Sequence, residues 1–235
     1  MAENTDPFWG AVASFGVEQV FVLPEWIQQK VQNNSVSSIG VKGDMEALRK
    51  EIAGCMKCPL GATRKSIVFG EGNSESGILF VGEGPGANED ETGRPFVGRS
   101  GKLLDKIFAS IELDRSKLFI ANIVKCRPPN NRTPSSEEAE ICGRYLERQI
   151  EIMKPGVIVA LGASAARTLL GTRKGIGLLR GDFHRYMDTP VMVTYHPAAL
   201  LRSPALKRPV WEDMKKLKSF MEQTGLPRSE GETNG

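Results

Sequence analysis

Short apolar runs alternate along this chain with stretches whose apolar residues recur at helical spacing. Gly77 to Val81 (GILFV), Leu118 to Val124 (LFIANIV), Gly156 to Leu161 (GVIVAL) and Pro190 to Thr194 (PVMVT) each read as a buried strand by their short apolar length. Between them, Lys102 to Ile111 places Leu103, Leu104, Ile107, Phe108 and Ile111 on one helical face. Ser135 or Ser136 caps a long helix to about Met153, with Ile141, Cys142, Tyr145, Leu146, Ile150 and Ile152 on or near its apolar side. Ala163 to Leu170 and Val210 to Met221 read as further helices, and Asp44 caps one from Met45 to Ala53. Strands alternating with helices imply α/β architecture, a parallel sheet covered on both faces. Ligands in such sheets sit at the carboxyl ends of the strands.

Residues 1–40 follow neither period. Phe8, Trp9, Val20, Phe21, Val22, Leu23 and Trp26 make short apolar patches, Pro24 interrupts them, and Gln32 to Ser38 is polar. This pattern predicts a weakly structured N-terminal extension (1–40), one domain over 41–225, and a flexible tail over 226–235.

Composition narrows the class only slightly. A chain of 235 residues with 40% hydrophobic residues can bury one substantial core. A formal charge of +3 is too small to announce a nucleic-acid protein, so any such surface must come from local clustering. No apolar run approaches the roughly 20 residues that span a bilayer, and MAENTDPFWG lacks a basic segment followed by an apolar one. A cytoplasmic protein without membrane contact is expected.

The chemistry concentrates after the first strand, in GEGPGANEDETGRPFVGRSG, Gly82 to Gly101. This stretch holds Glu83, Glu89, Asp90, Glu91 and one aromatic, Phe96, in a segment with little apolar content. Acids crowd the place where a phosphate loop presents bare amides, and no GK[ST] follows, which argues against a nucleotide fold. As a whole the stretch resembles the first motif of the family 4 uracil-DNA glycosylases, the iron–sulfur branch of the uracil glycosylase superfamily. HPAALLRSP, from His196, resembles the second motif, and the resemblance covers roughly Met45 to Gln223. It implies a three-layer α/β/α sandwich around a four-stranded parallel sheet. It also implies a monofunctional DNA-repair hydrolase that releases uracil and leaves an abasic site.

Cys55 and Cys58 lie in one Cys-x-x-Cys turn, Cys126 follows the second strand and Cys142 sits on a helix. Four thiolates suit tetrahedral zinc or a [4Fe–4S] cluster, and spacing alone does not separate them. The family resemblance implies that these four ligate a [4Fe–4S] cluster, in a structural role.

Hydrolysis of the uracil N-glycosidic bond requires the base to be turned out of the stack into a pocket, its leaving anion stabilised, and a water placed. Phe96 offers an aromatic platform, and the resemblance assigns it to stacking. Asn122 is an amide within an apolar strand; it can accept from uracil N3–H while donating to O4, the pattern that cytosine reverses. Backbone at Gly84 and Pro85 approaches the same ring. His196 is one of two histidines, and the resemblance makes it a donor to uracil O2 as charge develops there; His184 reads as structural. Glu83 is the candidate for placing the water, with Glu89 and Asp90 as rivals or as caps on loop amides. In Ala198 to Arg208, which resembles the loop that enters DNA, Leu200 and Leu201 are candidate wedges and Arg202, Lys207 and Arg208 candidate phosphate contacts. Arg127 to Ser136 contains no histidine to trap DNA covalently, so turnover by water is expected.

The expected protein is thus a monomer acting on uracil-containing DNA, single- or double-stranded. Aromatics on a tether also suit a groove on a replication or repair partner, the alternative to a packed appendage for residues 1–40. A non-catalytic iron–sulfur DNA-binding subunit and a zinc-stabilised nucleotide module are the competing classes.

Overall fold

Four of the apolar runs pair as the parallel centre of one sheet in the computed structural model, which describes residues 8–9, 22–33 and 44–227. In chain order the strands are β1 (Glu71–Gly72), β2 (Ile78–Gly82), β3 (Phe119–Asn122), β4 (Val157–Leu161), β5 (Phe183–Tyr186) and β6 (Thr189–Thr194). The sheet order is β1-β3-β2-β4-β6-β5, with β3, β2, β4 and β6 parallel. The sequence reading contained those four strands; β1 and β5 add an antiparallel strand at each edge, making six.

Every residue of β2, β3 and β4 is buried, and the period of two divides them between two apolar clusters. Ile78, Phe80, Ile120, Val157, Val159 and Met192 face one side. There they meet α4 (Arg99–Ala109) through Leu103, Leu104, Ile107 and Phe108, and α9 (Lys207–Thr224) through Val210, Met214, Leu217 and Phe220. Leu79, Val81, Phe119, Ala121, Ile158 and Val193 face the other side. Their partners are α2 (Met45–Ile52), α5 (Ser136–Met153) and α6 (Ala163–Leu170). Helix, sheet, helix is the three-layer sandwich.

The described part of residues 1–40 does not stand apart from this sandwich. Trp9, Leu23 and Ile27, the last on α1 (Glu25–Asn33), are 3%, 5% and 1% exposed within the cluster that holds α4 and α9. The Arg185 guanidinium lies 4.5 Å from the Trp26 ring centroid, which ties α1 to the β5 edge. The expectation of an extension outside the domain misses this packing, because a cluster broken by Pro24 shows no period from which burial can be read. Residues 10–21 and 34–43 lie outside the described residues, as does the tail from 228 onward. Among the described residues, no helix is long and apolar enough to cross a membrane.

Candidate active site and cysteine cluster

At the carboxyl ends of β2, β3, β4 and β6 opens a cavity of about 560 Å³. Its lining includes Glu83, Gly84, Pro85, Phe96, Asn122 and His196, which the sequence singled out from three separate stretches. A parallel sheet brings them together because all four strands end on the same side.

Gly82 lies beneath two of these side chains. It pairs in register with Asn122. A Cβ on Gly82 would lie 2.4 Å from Asn122 Oδ1 and 2.6 Å from Phe96 Cζ, so both side chains lie over bare backbone. Asn122 is 1% exposed, and its Oδ1 has no hydrogen-bond partner among the described residues. Leaving a buried acceptor unpaired costs about 1–3 kcal/mol, which a ligand donor can recover.

Phe96 is 5% exposed, and its ring centroid lies 5.5 Å from that of His196, the planes inclined by 33°. The imidazole follows β6 at the start of α8 (Pro197–Arg202). Its Nδ1 accepts from the Ala198 N–H at 3.1 Å, which leaves Nε2 as the protonated, donating nitrogen of a neutral ring. Burial pushes the His196 pKa down to about 4; the nearby Arg202 charge lowers it further, while Glu89 pulls the other way. Gly162, at φ +93°, sits where a Cβ would come within 2.9 Å of His196 Cβ. His184, by contrast, bonds through Nε2 to the Leu179 carbonyl at 2.8 Å.

The carboxylates separate by their partners. Glu89 lies in α3 (Ala87–Thr92), a helix inside what the sequence presents as one long loop. Its Oε1 accepts from the N–H groups of Val97 and Gly98, both at 2.8 Å, and its Oε2 from Gly86 N–H at 3.1 Å. Asp90 accepts from Lys65 N–H at 2.9 Å and Ser66 N–H at 3.2 Å. Both are caps that fix the loop. Glu83 is half-buried at the cavity wall, and its carboxylate has no hydrogen bond or ion pair among the described residues. Its backbone carbonyl accepts from Val124 N–H at 3.2 Å, which fixes it beside Asn122.

The segment from Ala198 to Arg208 divides its two leucines. α8 turns Leu200 into the core at 1% exposure and leaves Leu201 48% exposed, so only Leu201 is available as a wedge. Leu200 as a wedge is therefore corrected: helical phase, which a loop reading lacks, sends it inward. Arg202 lines the cavity and is exposed, as is Arg208; Lys207 Nζ lies 5.9 Å from the Phe8 ring centroid.

A buried ion pair behind this segment escaped the sequence reading. Asp213, fully buried on α9, receives Thr194 Oγ1 at 2.6 Å and Arg180 Nε at 3.1 Å; Arg180 Nη2 also donates to the Pro209 carbonyl at 2.6 Å. Burial raises the Asp213 pKa to about 6, opposed by Thr194 and Arg180. The network fixes the end of β6, two residues before His196, to α9.

On the opposite face lie the four cysteines, none in a disulfide. Cys126 and Cys142 are buried, while Cys55 and Cys58 are half-buried. Donors point at the sulfurs: Lys125 N–H reaches Cys142 Sγ at 3.2 Å, Tyr145 Oη reaches Cys55 Sγ at 3.5 Å, and Arg64 Nη1 reaches Cys126 Sγ at 3.7 Å. Burial pushes the Cys126 thiol up to about 11 and raises that of Cys142, so an isolated pair would remain protonated. A positively charged centre among them would hold them as thiolates. Among the described residues, no three thiol, imidazole or carboxylate groups close up enough to grip a single metal ion.

Lys125 joins the two regions and was also missed. It is fully buried, and its Nζ donates to the Asn122 carbonyl at 2.9 Å and to Gln149 Oε1 at 2.6 Å. Burial pushes its pKa down to about 8, opposed by the charge at Cys142.

A sandwich with this cavity at its strand ends is the architecture of the uracil DNA glycosylase superfamily, whose family model matches residues 69–215. The Type-4 uracil-DNA glycosylase of Thermotoga maritima is 47% identical over 185 residues, covering 77% of this chain and 96% of the relative. The enzyme of that name from Pyrobaculum aerophilum is 46% identical over 179 residues, covering 73% of this chain and 91% of its own. That from Archaeoglobus fulgidus is 42% identical over 181 residues, covering 74% and 91%. The chain belongs to the type-4 branch of the uracil-DNA glycosylase superfamily.

Proposed function

We propose that this protein is a uracil-DNA glycosylase of DNA repair, which takes uracil turned out of DNA into the strand-end cavity and hydrolyses its N-glycosidic bond. The observation that carries this is Asn122 Oδ1, a buried acceptor with no partner among the described residues, on a side chain that lines the cavity beside the Phe96 and His196 rings. Uracil N3–H is the donor it lacks, and the Asn122 amide N–H donates to O4. Cytosine offers an acceptor at N3 and a donor at C4, leaving two buried groups opposed. Phe96 stacks the ring, with the backbone at Gly84 and Pro85 at its edge.

His196 stays neutral and donates from Nε2 to O2 as negative charge leaves the sugar for the base. This is an electrostatic contribution of the oxyanion-hole kind. Glu83, the carboxylate not used by the loop, holds the attacking water and faces the sugar as positive charge builds. Water attacks C1′ and passes a proton to the Glu83 carboxylate, the bond from C1′ to N1 breaks with its electron pair going to uracil, which is protonated on release, and an abasic site remains. Leu201 fills the gap left by the turned-out base, while Arg202, Lys207 and Arg208 meet backbone phosphates.

Cys55, Cys58, Cys126 and Cys142 would hold a [4Fe–4S] cluster, which supplies a structural tie and no step of the hydrolysis. The donors around the sulfurs suit a body with net negative thiolate charge, and a cluster wider than one ion does not require the close approach of a single metal site. The protein acts as a monomer.

The decisive assay incubates purified protein with a uracil-containing oligonucleotide, then breaks abasic sites with alkali. Strand breakage at the uracil position is expected, with none when thymine replaces uracil; no breakage in either would overturn the reading. Metal analysis of the same protein is expected to give about four irons per chain, and stoichiometric zinc without iron would reject the cluster.

A further inference from the structure

Phe96 holds its position at the expense of an unusual backbone. Its φ is +52°, in the left-handed region that a bulky aromatic rarely adopts. Two features hold the conformation. Gly101, on the first turns of α4, comes so close that a Cβ there would lie 1.8 Å from the Phe96 carbonyl oxygen. Arg115 then spans the same loop: Nη1 donates to the Pro95 carbonyl at 3.1 Å and Nη2 to the Phe96 carbonyl. The guanidinium is itself fixed from behind, with Nε on Asp105 Oδ1 at 2.9 Å and Nη1 3.6 Å from Glu71 Oε1. Glu71 on β1 also binds Arg94 at 2.6 Å, so the clamp draws on an edge strand and on α4.

We infer that Arg115 is a positioning residue for uracil excision, holding the Phe96 ring in its stacking pose through the main chain rather than by touching the base. The inference rests on Phe96 being the base platform, as in the proposed function. A planar fork meeting two successive carbonyls fixes both the position and the orientation of a peptide unit, which a point charge cannot do. The ring above Gly82 has no side chain beneath it to correct a tilt, so its attitude depends on the main chain that carries it. Gly101, having no Cβ, permits the close approach of helix and loop that this backbone conformation requires.

A double-mutant cycle on the full chain tests this, comparing wild type, Arg115→Met, Phe96→Ala and the double variant in single-turnover excision, with abasic-oligonucleotide affinity and thermal stability measured in parallel. Each single variant is expected to slow excision by about tenfold, the scale of one base–aromatic stack. The double variant should be no slower than Phe96→Ala alone, because Arg115 has nothing left to position. Affinity for the abasic oligonucleotide, which offers no base to stack, should be unchanged. Equal losses from Arg115→Met in both backgrounds, or a lower thermal stability with an unchanged rate, would overturn the inference and leave Arg115 as scaffold. If Phe96→Ala alone leaves the rate unaltered, the stacking reading falls and this inference with it, while strand breakage at uracil would still stand. Arg115→Lys keeps the charge facing Asp105 and Glu71 without the fork. It should give an intermediate rate, and it replaces Arg115→Met in the cycle if that variant does not fold.

Discussion

The cavity face and the cysteine face begin at the same strand end, yet they treat buried polar groups in opposite ways. On the cysteine side the donors are used: Lys125, Gln149, Tyr145 and Arg64 each bond a carbonyl, an amide or a sulfur. On the cavity side Asn122 Oδ1 and the Glu83 carboxylate have no such partner among the described residues. The same contrast recurs within the first motif, where Glu89 and Asp90 are bonded to loop amides six and seven residues beyond Glu83. A satisfied buried group supports the scaffold; an unsatisfied one beside a cavity awaits a ligand.

That contrast breaks most visibly at the cysteines. Cys126→Ala or Cys142→Ala should abolish most soluble, iron-containing protein while leaving the chemistry of any folded remainder unchanged, as judged by yield, iron content and rate per folded molecule. A variant with normal yield and a lost rate would place the cysteines in the reaction instead. On the cavity side the order of effects should reverse: His196→Ala keeps its yield but slows single-turnover excision by about 100- to 1000-fold, the usual result of removing an oxyanion-type donor. Equal loss of abasic-product affinity would point to loop positioning.

Asn122→Asp is a smaller test of the same side. It removes the donor to O4, and the expected penalty on uracil excision is about 1–3 kcal/mol of transition-state stabilisation. Wild-type rates in this variant would make the amide structural.

The smallest effect is in pH. The native His196 imidazole, pushed down to about 4, takes its proton well below the ordinary 6.5. Across that window the unfolded chain binds the extra proton, so stability rises with pH, is fully present above 6.5, and is lost as pH falls toward 4. Acid denaturation followed by circular dichroism should therefore be steeper for wild type than for His196→Ala over this range. Identical profiles would mean that the ring titrates normally in the folded protein.

What could be read from sequence follows the same division. The four central strands are continuous apolar runs because both faces are covered, and such runs are visible without a partner. β1 has two residues and β5 reads FHRY, so neither carries a period, and both were invisible. Asn122 stands out as an amide within an apolar strand and His196 as a histidine at a strand's carboxyl end, whereas no local pattern marks Lys125, which is fully buried. The choice among Glu83, Glu89 and Asp90 depended on amides up to 25 residues away in sequence, from Lys65 to Gly98, which no local pattern encodes. Leu200 and Leu201 needed only a helical phase to be told apart, but the segment is six residues long and begins at a proline, too short to announce one.

The burial of Trp9, Leu23 and Ile27 against surfaces that include α9 has a consequence in time. A ribosome makes Trp9 almost 200 residues before Lys207, the residue whose ammonium faces Phe8. At about 5–20 residues per second, the Trp9 ring waits roughly 10–40 s for the helix whose residues share its cluster. During that interval it is exposed apolar surface on a nascent chain, which gives chaperones something to bind. Synonymous codon changes that slow translation between β6 and α9 should lengthen that wait and lower soluble yield without altering a single amino acid.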